Sequence, residues 1–138
     1  MDDQQAGLRR LPLFADLDDE TLGHIERVAD VIEVPSGSVL AHEGRYEGYL
    51  YVVAAGSVAI ERGGVEVDTI GEGGFFGEIA LRDAGPRTAT VTALTDCRLV
   101  RIANDDLAEL EARSPAIRDA LEEAAEGRLH RIDEAATT

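Results

Sequence analysis

A chain of 138 residues with 44% apolar content is large enough to bury one core without disulfide or metal staples, so a single domain is expected. A formal charge of −15 repels nucleic acid and anionic membranes, both of which are bound chiefly through Lys and Arg, so neither is an expected partner. The lone cysteine, Cys97, excludes an internal disulfide and a multi-cysteine zinc site. No apolar run approaches the roughly 20 residues needed to cross a bilayer, and the polar Met1-Asp2-Asp3-Gln4-Gln5 start is not a signal peptide. A cytoplasmic location is the expectation.

Three textures follow one another along the chain. Residues 1–30 read as a helical lead-in. Leu8, Leu11, Leu13, Phe14 and Leu17 supply apolar anchors, Asp18 or Asp19 caps the next turn, and Leu22, Ile25, Val28 and Ala29 recur at helical spacing. Residues 31–102 read as short strands: Val31–Val34, Val39–His42, Tyr49–Ala54, Val58–Glu61, Val65–Ile70, Thr88–Leu94 and Arg98–Ile102. Turn signals separate them at Pro35-Ser36-Gly37, Gly44, Gly56, Gly63-Gly64, Gly71 and Gly73-Gly74, with Gly63-Gly64 predicting a tight hairpin. Thr88 to Ala93 alternates with period two, as a half-buried strand does. Cys97 opens the last strand as a small core residue.

Residues 103–138 return to helix. Asn104 is the expected cap of one helix, with Asp105 and Asp106 in its first turn; Ser114-Pro115 starts another, carrying a stripe of Ile117, Leu121, Ala125, Leu129 and Ile132. Many short strands at regular intervals between helical ends predict a mainly β fold. The form expected is an antiparallel β-roll of jelly-roll type, with a helix before it and two after.

Within the roll, residues 76–91 concentrate the chemistry. Phe76-Gly77-Glu78-Ile79-Ala80-Leu81 is followed by Arg82-Asp83-Ala84-Gly85 and then Pro86-Arg87-Thr88-Ala89-Thr90-Val91. A short helix opening at Gly77 presents unpaired N–H groups to an anion, and glycine admits close approach. Ala80 is small enough to keep its amide within reach. Glu78 is placed to accept from a sugar hydroxyl, and Arg87 offers a planar fork matching two phosphate oxygens. Pro86 fixes the approach to Arg87. In so acidic a chain this is the layout of a pocket for one small anion that also carries hydroxyls. From spacing alone, a structural Glu78–Arg87 pair closing a loop is the plain alternative.

The segment resembles the phosphate-binding cassette of the cyclic nucleotide-binding domains, with Gly77, Glu78, Ala80, Leu81, Arg87, Ala89 and Val91 at matching positions. The similarity runs more loosely over residues 11–112, through Glu43-Gly44, Tyr51 to Gly56, and Gly71 to Phe76. It departs at Arg45-Tyr46-Glu47-Gly48, where many members carry an acidic residue and then a Gly-Asp pair. The resemblance implies a site of Phe76, Gly77, Glu78, Ile79, Ala80, Arg87, Thr88 and Ala89. In it Glu78 binds the ribose 2′-hydroxyl, Arg87 pairs with the cyclic phosphate, and amides at Ala80 and Ala89 complete the cradle. Thr88 bears on the choice between cAMP and cGMP, with cAMP favoured.

The resemblance further implies a sensor that binds its nucleotide reversibly and signals by movement of its C-terminal helices. Arg118, Leu121 or Arg128 would meet the purine if the last helix closes as a lid. The same helix could instead pack on the roll, or pair with a protein partner or a second copy. No nucleophile–base set is present, and His24, His42 and His130 lie far apart in sequence, so neither catalysis nor a metal or other cofactor is expected. The rival readings are a ligand-free β-roll that docks a partner and a sensor segment of a larger channel, kinase or transporter. The Met1 start and ragged end favour a free-standing protein, and the residues after the roll leave no room for a helix-turn-helix, so a catabolite-activator type of transcription factor is not expected.

Overall fold

The computed structural model of the chain describes residues 8, 10–15, 17–42, 48–77 and 89–123. Eight strands are found among them: β1 (Asp30–Val34), β2 (Val39–Ala41), β3 (Tyr49–Ala55), β4 (Val58–Arg62), β5 (Val65–Ile70), β6 (Phe75–Phe76), β7 (Thr90–Ala93) and β8 (Cys97–Ala103). A 3-10 turn (Pro12–Phe14) and helix α1 (Asp19–Val28) precede them, and α2 (Asn104–Arg113) follows. Residues 115–123 form a further helical stretch, α3. All strand pairs are antiparallel, in two sheets of order β1-β8-β3-β6 and β2-β7-β4-β5. This is the antiparallel β-roll with flanking helices that the sequence predicts.

Side-chain alternation on β3 and β8 builds two cores from one sheet. Leu50, Val52, Val100 and Ile102 face outward and pack with Leu11, Phe14, Leu22, Ile25, Leu107, Leu110, Ile117 and Leu121 of the lead-in and the helices. Tyr51, Val53, Cys97 and Leu99 face inward and pack with Val58, Ile60, Ile70, Val91 and Ala93 of the second sheet. Because both faces are covered, β3 is buried without interruption from Leu50 to Val53, which is why it reads as a continuous apolar run. β7, in the second sheet, keeps its alternation: Val91 and Ala93 are buried, Thr90 and Thr92 half-buried.

Local chemistry sets the element ends. Thr21 donates its backbone N–H to Asp18 Oδ1 at 2.7 Å, so Asp18 is the cap of α1. Ile117 N–H reaches Ser114 Oγ at 3.4 Å as α3 begins. The β4–β5 hairpin turns at Gly63 (φ 60°) and Gly64 (φ 82°), both in the region a two-residue turn of this twist requires. Asn104 is not the cap of α2. That position falls to Ala103, because β8 runs straight into the helix and Asn104 is already its first residue, with its N–H donated to Gly48 O at 2.8 Å. A second departure is β6, which the sequence suggests only as a turn. Two residues are too few for a periodic signal, and the strand exists because Phe75 and Phe76 pair with Val52 and Tyr51.

The shared sheet makes the outward core the larger source of helix attachment. Leu110, fully buried, meets α1, β3 and β8 there, and Leu110→Ala is expected to lower stability by about 2–5 kcal/mol. Val31→Ala, on a side chain 52% exposed, should change it by less than about 0.5 kcal/mol. Urea midpoints of the two variants check the contrast.

Candidate functional site

The two ends of the predicted cassette are both anchored in the interior of the roll. On one side, β6 delivers Phe76 from the first sheet; its side chain is 2% exposed and belongs to the inward core. The chain then leaves the sheet at Gly77 with φ 103°, a conformation that L side chains rarely adopt. On the other side, Ala89 is buried in the same core and leads into β7 of the second sheet. The segment between them therefore departs from one sheet and returns to the other. Glu78, Ile79, Ala80, Arg87 and Thr88 lie outside the described residues. Of the predicted set, the structure brings together Phe76, Gly77 and Ala89.

The walls around these two ends are apolar. Ile60 and Ile70 of β4 and β5 are buried in the cluster that holds Phe76 and Ala89, with Val67 packed against it. A wall of this kind suits an apolar or flat aromatic surface better than a charged group.

Phe76 itself sits on an aromatic platform. Its ring stacks on Tyr51 with centroids 4.9 Å apart and planes 13° from parallel, and Tyr49 lies 6.3 Å from Tyr51 in a tilted arrangement. Arg101 of β8 places its guanidinium 4.6 Å above the Tyr49 ring and donates from Nη2 to Asp30 Oδ2 at 3.1 Å. The Asp30 hydrogen bond raises the Arg101 pKa above its ordinary value; burial lowers it, and Tyr51 adds a further upward contribution. Sequence reading finds Phe76 and misses Tyr49, Tyr51 and Arg101. The available signal was the distribution of rings: the chain has three Tyr, three Phe and no Trp, and residues 49, 51, 75 and 76 hold most of them.

The C-terminal elements lie behind this platform. α2 and α3 contribute Leu107, Leu110, Ile117 and Leu121 to the outward core, against Leu50 and Val52, the chain neighbours of Tyr51. Arg113 of α2 lies 3.7 Å from Glu20 Oε1 of α1, and His24 Nε2 of α1 lies 3.5 Å from Glu109 Oε2 of α2. The Arg113–Glu20 pair is exposed and worth little by itself, while His24 is largely buried between the two helices. No helix of the described residues is long and apolar enough to cross a membrane.

Comparison with known proteins places this architecture. The family model of the cyclic nucleotide-binding domain matches residues 31–114, a stretch that contains the cassette. A cAMP-dependent protein kinase regulatory subunit of Aspergillus fumigatus is 33% identical over 108 residues, covering 77% of this chain and 26% of that protein. A cyclic nucleotide-gated potassium channel of Rhizobium etli is 32% identical over 115 residues, covering 83% of this chain and 32% of the channel. Among solved structures, the regulatory domain of Toxoplasma gondii PKA with cAMP superposes with a TM-score of 0.69 at 28% identity, covering 80% of this chain and 46% of that one. The chain spans about a third or less of the length of the curated relatives it matches. With the family model covering most of the roll and both anchors of the cassette inside it, this chain belongs to the cyclic nucleotide-binding domain family.

Proposed function

We propose that the chain binds one cyclic mononucleotide, cAMP or cGMP, reversibly at the segment bounded by Gly77 and Ala89, and reports it by movement of its C-terminal helices. The observation that carries this reading is the family match over residues 31–114 together with the positive φ of Gly77 where the cassette leaves the roll. Glu78 takes the ribose 2′-hydroxyl and Arg87 the cyclic phosphate. Backbone amides at Ala80 and Ala89 complete the cradle, with Phe76, Ile79 and Thr88 bordering the ligand. The names of the kinase-subunit and channel relatives, and the cAMP in the superposed PKA domain, support a cyclic nucleotide as the ligand and favour cAMP.

The reading assigns the chain a regulatory role without catalysis and without a cofactor beyond the bound nucleotide. Its layout is one domain: a lead-in over 1–30, the roll over 31–102 and helices over 103–138. The protein works in the cytoplasm, away from nucleic acid and membrane surfaces, as its charge of −15 supports. Both named relatives are several times longer than their matched segment, which supports a second reading, the sensor segment of a larger channel or kinase. A protein partner or a second copy would then engage the C-terminal helices.

A ligand that binds only the folded state raises the melting temperature by mass action. At a hundredfold excess over its Kd, cAMP should raise Tm by on the order of 10 °C; failure of both cAMP and cGMP at millimolar concentration would promote the ligand-free docking module instead. In calorimetric titrations Arg87→Leu is expected to weaken binding by about 2–5 kcal/mol, because one partner of a desolvated charge pair is removed. Glu78→Gln should weaken it less, since a neutral acceptor remains; an equal collapse would make Glu78 chiefly an organiser of Arg87. Gly77→Ala places a side chain at φ 103° and should lower stability by about 1–3 kcal/mol even without ligand, read from the urea midpoint.

A further inference from the structure

A single rung crosses all four strands of the first sheet on its inward face. In register, Asp30 of β1 lies opposite Arg101 of β8, Arg101 opposite Tyr51 of β3, and Tyr51 opposite Phe76 of β6. Each step is also a side-chain contact. Asp30 Oδ2 accepts from Arg101 Nη2 at 3.1 Å; Arg101 interacts with Tyr51 and lies over Tyr49; Tyr51 stacks on Phe76 at 4.9 Å. The rung ends one residue before Gly77, where the chain departs from the sheet.

Its members have little freedom to move separately. β6 is only two residues long; its ladder with β3 is continued upstream by Val53 N–H to Gly74 O and Gly73 N–H to Val53 O, both at 2.8 Å, and at its far end the stack on Tyr51 adds side-chain contact at Phe76. Tyr51 is 7% exposed and Phe76 2%. The Arg101 side chain is 30% exposed against 63% for Asp30, so the cation is the more desolvated partner and depends on Asp30 for compensation. Its Nε is buried without a hydrogen-bond partner among the described residues. A guanidinium kept in that setting by one carboxylate and two phenol rings is poorly explained by stability alone, since an apolar residue would avoid the desolvation.

We infer that Arg101 is a positioning residue for the nucleotide site, acting through Tyr51 and Phe76 to fix the angle at which the chain leaves β6 at Gly77. The inference rests on the nucleotide reading for its ligand arm and on geometry alone for its ligand-free arm. An internal control lies three residues away. Arg98 pairs with Glu33 at 2.9 Å across the same two strands, but its side chain is 58% exposed and occupies the opposite face of β8, away from Tyr51.

The test compares wild type with Arg101→Met, Arg101→Lys, Asp30→Asn and Arg98→Met in the full chain. Two quantities are read: affinity for cAMP by calorimetric titration, and hydrogen exchange at the Phe76 and Gly77 amides by NMR without ligand. Arg101→Met is expected to weaken cAMP binding by about three- to tenfold and to speed exchange at Gly77. Arg101→Lys, which keeps a cation against Asp30 and the Tyr49 ring, should restore most of both. Arg98→Met should match wild type in both.

Equal behaviour of Arg101→Met and Arg98→Met would overturn the inference, as would a loss in Arg101→Met that Lys does not rescue. Should Arg101→Met fail to fold, Asp30→Asn, altering an exposed carboxylate, decides in its place: faster Gly77 exchange with weaker binding supports the role, and wild-type values reject it. Wild-type protein that binds neither cAMP nor cGMP would defeat the nucleotide reading. Exchange at Gly77 would then judge the positioning role by itself, faster in Arg101→Met if the rung holds the departure and unchanged if it does not.

Discussion

The burial of one sheet on both faces is the constraint on which the rest of this domain depends. β3 and β8 send Leu50, Val52, Val100 and Ile102 toward the helices and Tyr51, Val53, Cys97 and Leu99 toward the second sheet. A slip of one residue in either strand would exchange the two sets. Hydrophobicity opposes such a slip only weakly, because both cores are apolar. Polar content opposes it strongly. With β8 shifted by one position, Arg101 would be driven among Leu107, Leu110 and Ile117 without Asp30, an unpaired charge in an apolar core. The Asp30–Arg101 pair thus makes the register unique as well as bracing the aromatic platform.

The same sheet reconciles an acidic chain with an anionic ligand. A net charge of −15 disfavours any phosphate approaching the surface at large. On the proposed reading it has much less hold on a phosphate held beside an arginine of the cassette, since short distances to a compensating charge outweigh longer ones to the surface carboxylates. Phe76 and Ala89 tie the segment's two ends into the interior, one leading out of β6 in the first sheet and the other into β7 in the second. Ile60, Val67 and Ile70 leave the interior apolar beside it.

How legible all this was in the sequence depended on how many residues carried each signal. The seven longer strands were readable because each has two or more apolar positions at strand spacing, most of them bounded by glycine or proline, and the Gly63-Gly64 turn states its own geometry. β6 was not readable. Its two residues are a strand only because Tyr51 and Val52 stand opposite, a tertiary fact with no local trace. The Asn104 cap failed for a similar reason: β8, paired with β3 through Ala103, runs directly into the helix and makes Asn104 its first residue. At the site, glycine's tolerance of close backbone approach pointed to Gly77, while Phe76 and Ala89 were named through the family resemblance. Tyr51 and Arg101 stayed hidden because their role arises from a register between four strands, which composition does not encode. Cys97 was legible as a core residue: it is buried, and its Sγ donates to Ser57 O at 3.4 Å.

The sheet also dictates where a change at the cassette must be felt. Tyr51 touches Phe76 on one face of β3, while Leu50 and Val52, its immediate neighbours, carry the helices on the other. Close-packed interiors do not absorb a displaced ring locally; they pass the displacement to whatever is held least firmly. Within the sheet, β3 is hydrogen-bonded to β8 and β6 and resists deformation. α2 and α3 are attached through side-chain packing and, for α2, an exposed Arg113–Glu20 ion pair to α1, attachments that slide at small cost. On the proposed reading, a ligand that displaced Phe76 would shift the helices before it distorted the strands. The coupling from cassette to C-terminal helices then needs only the thickness of one strand.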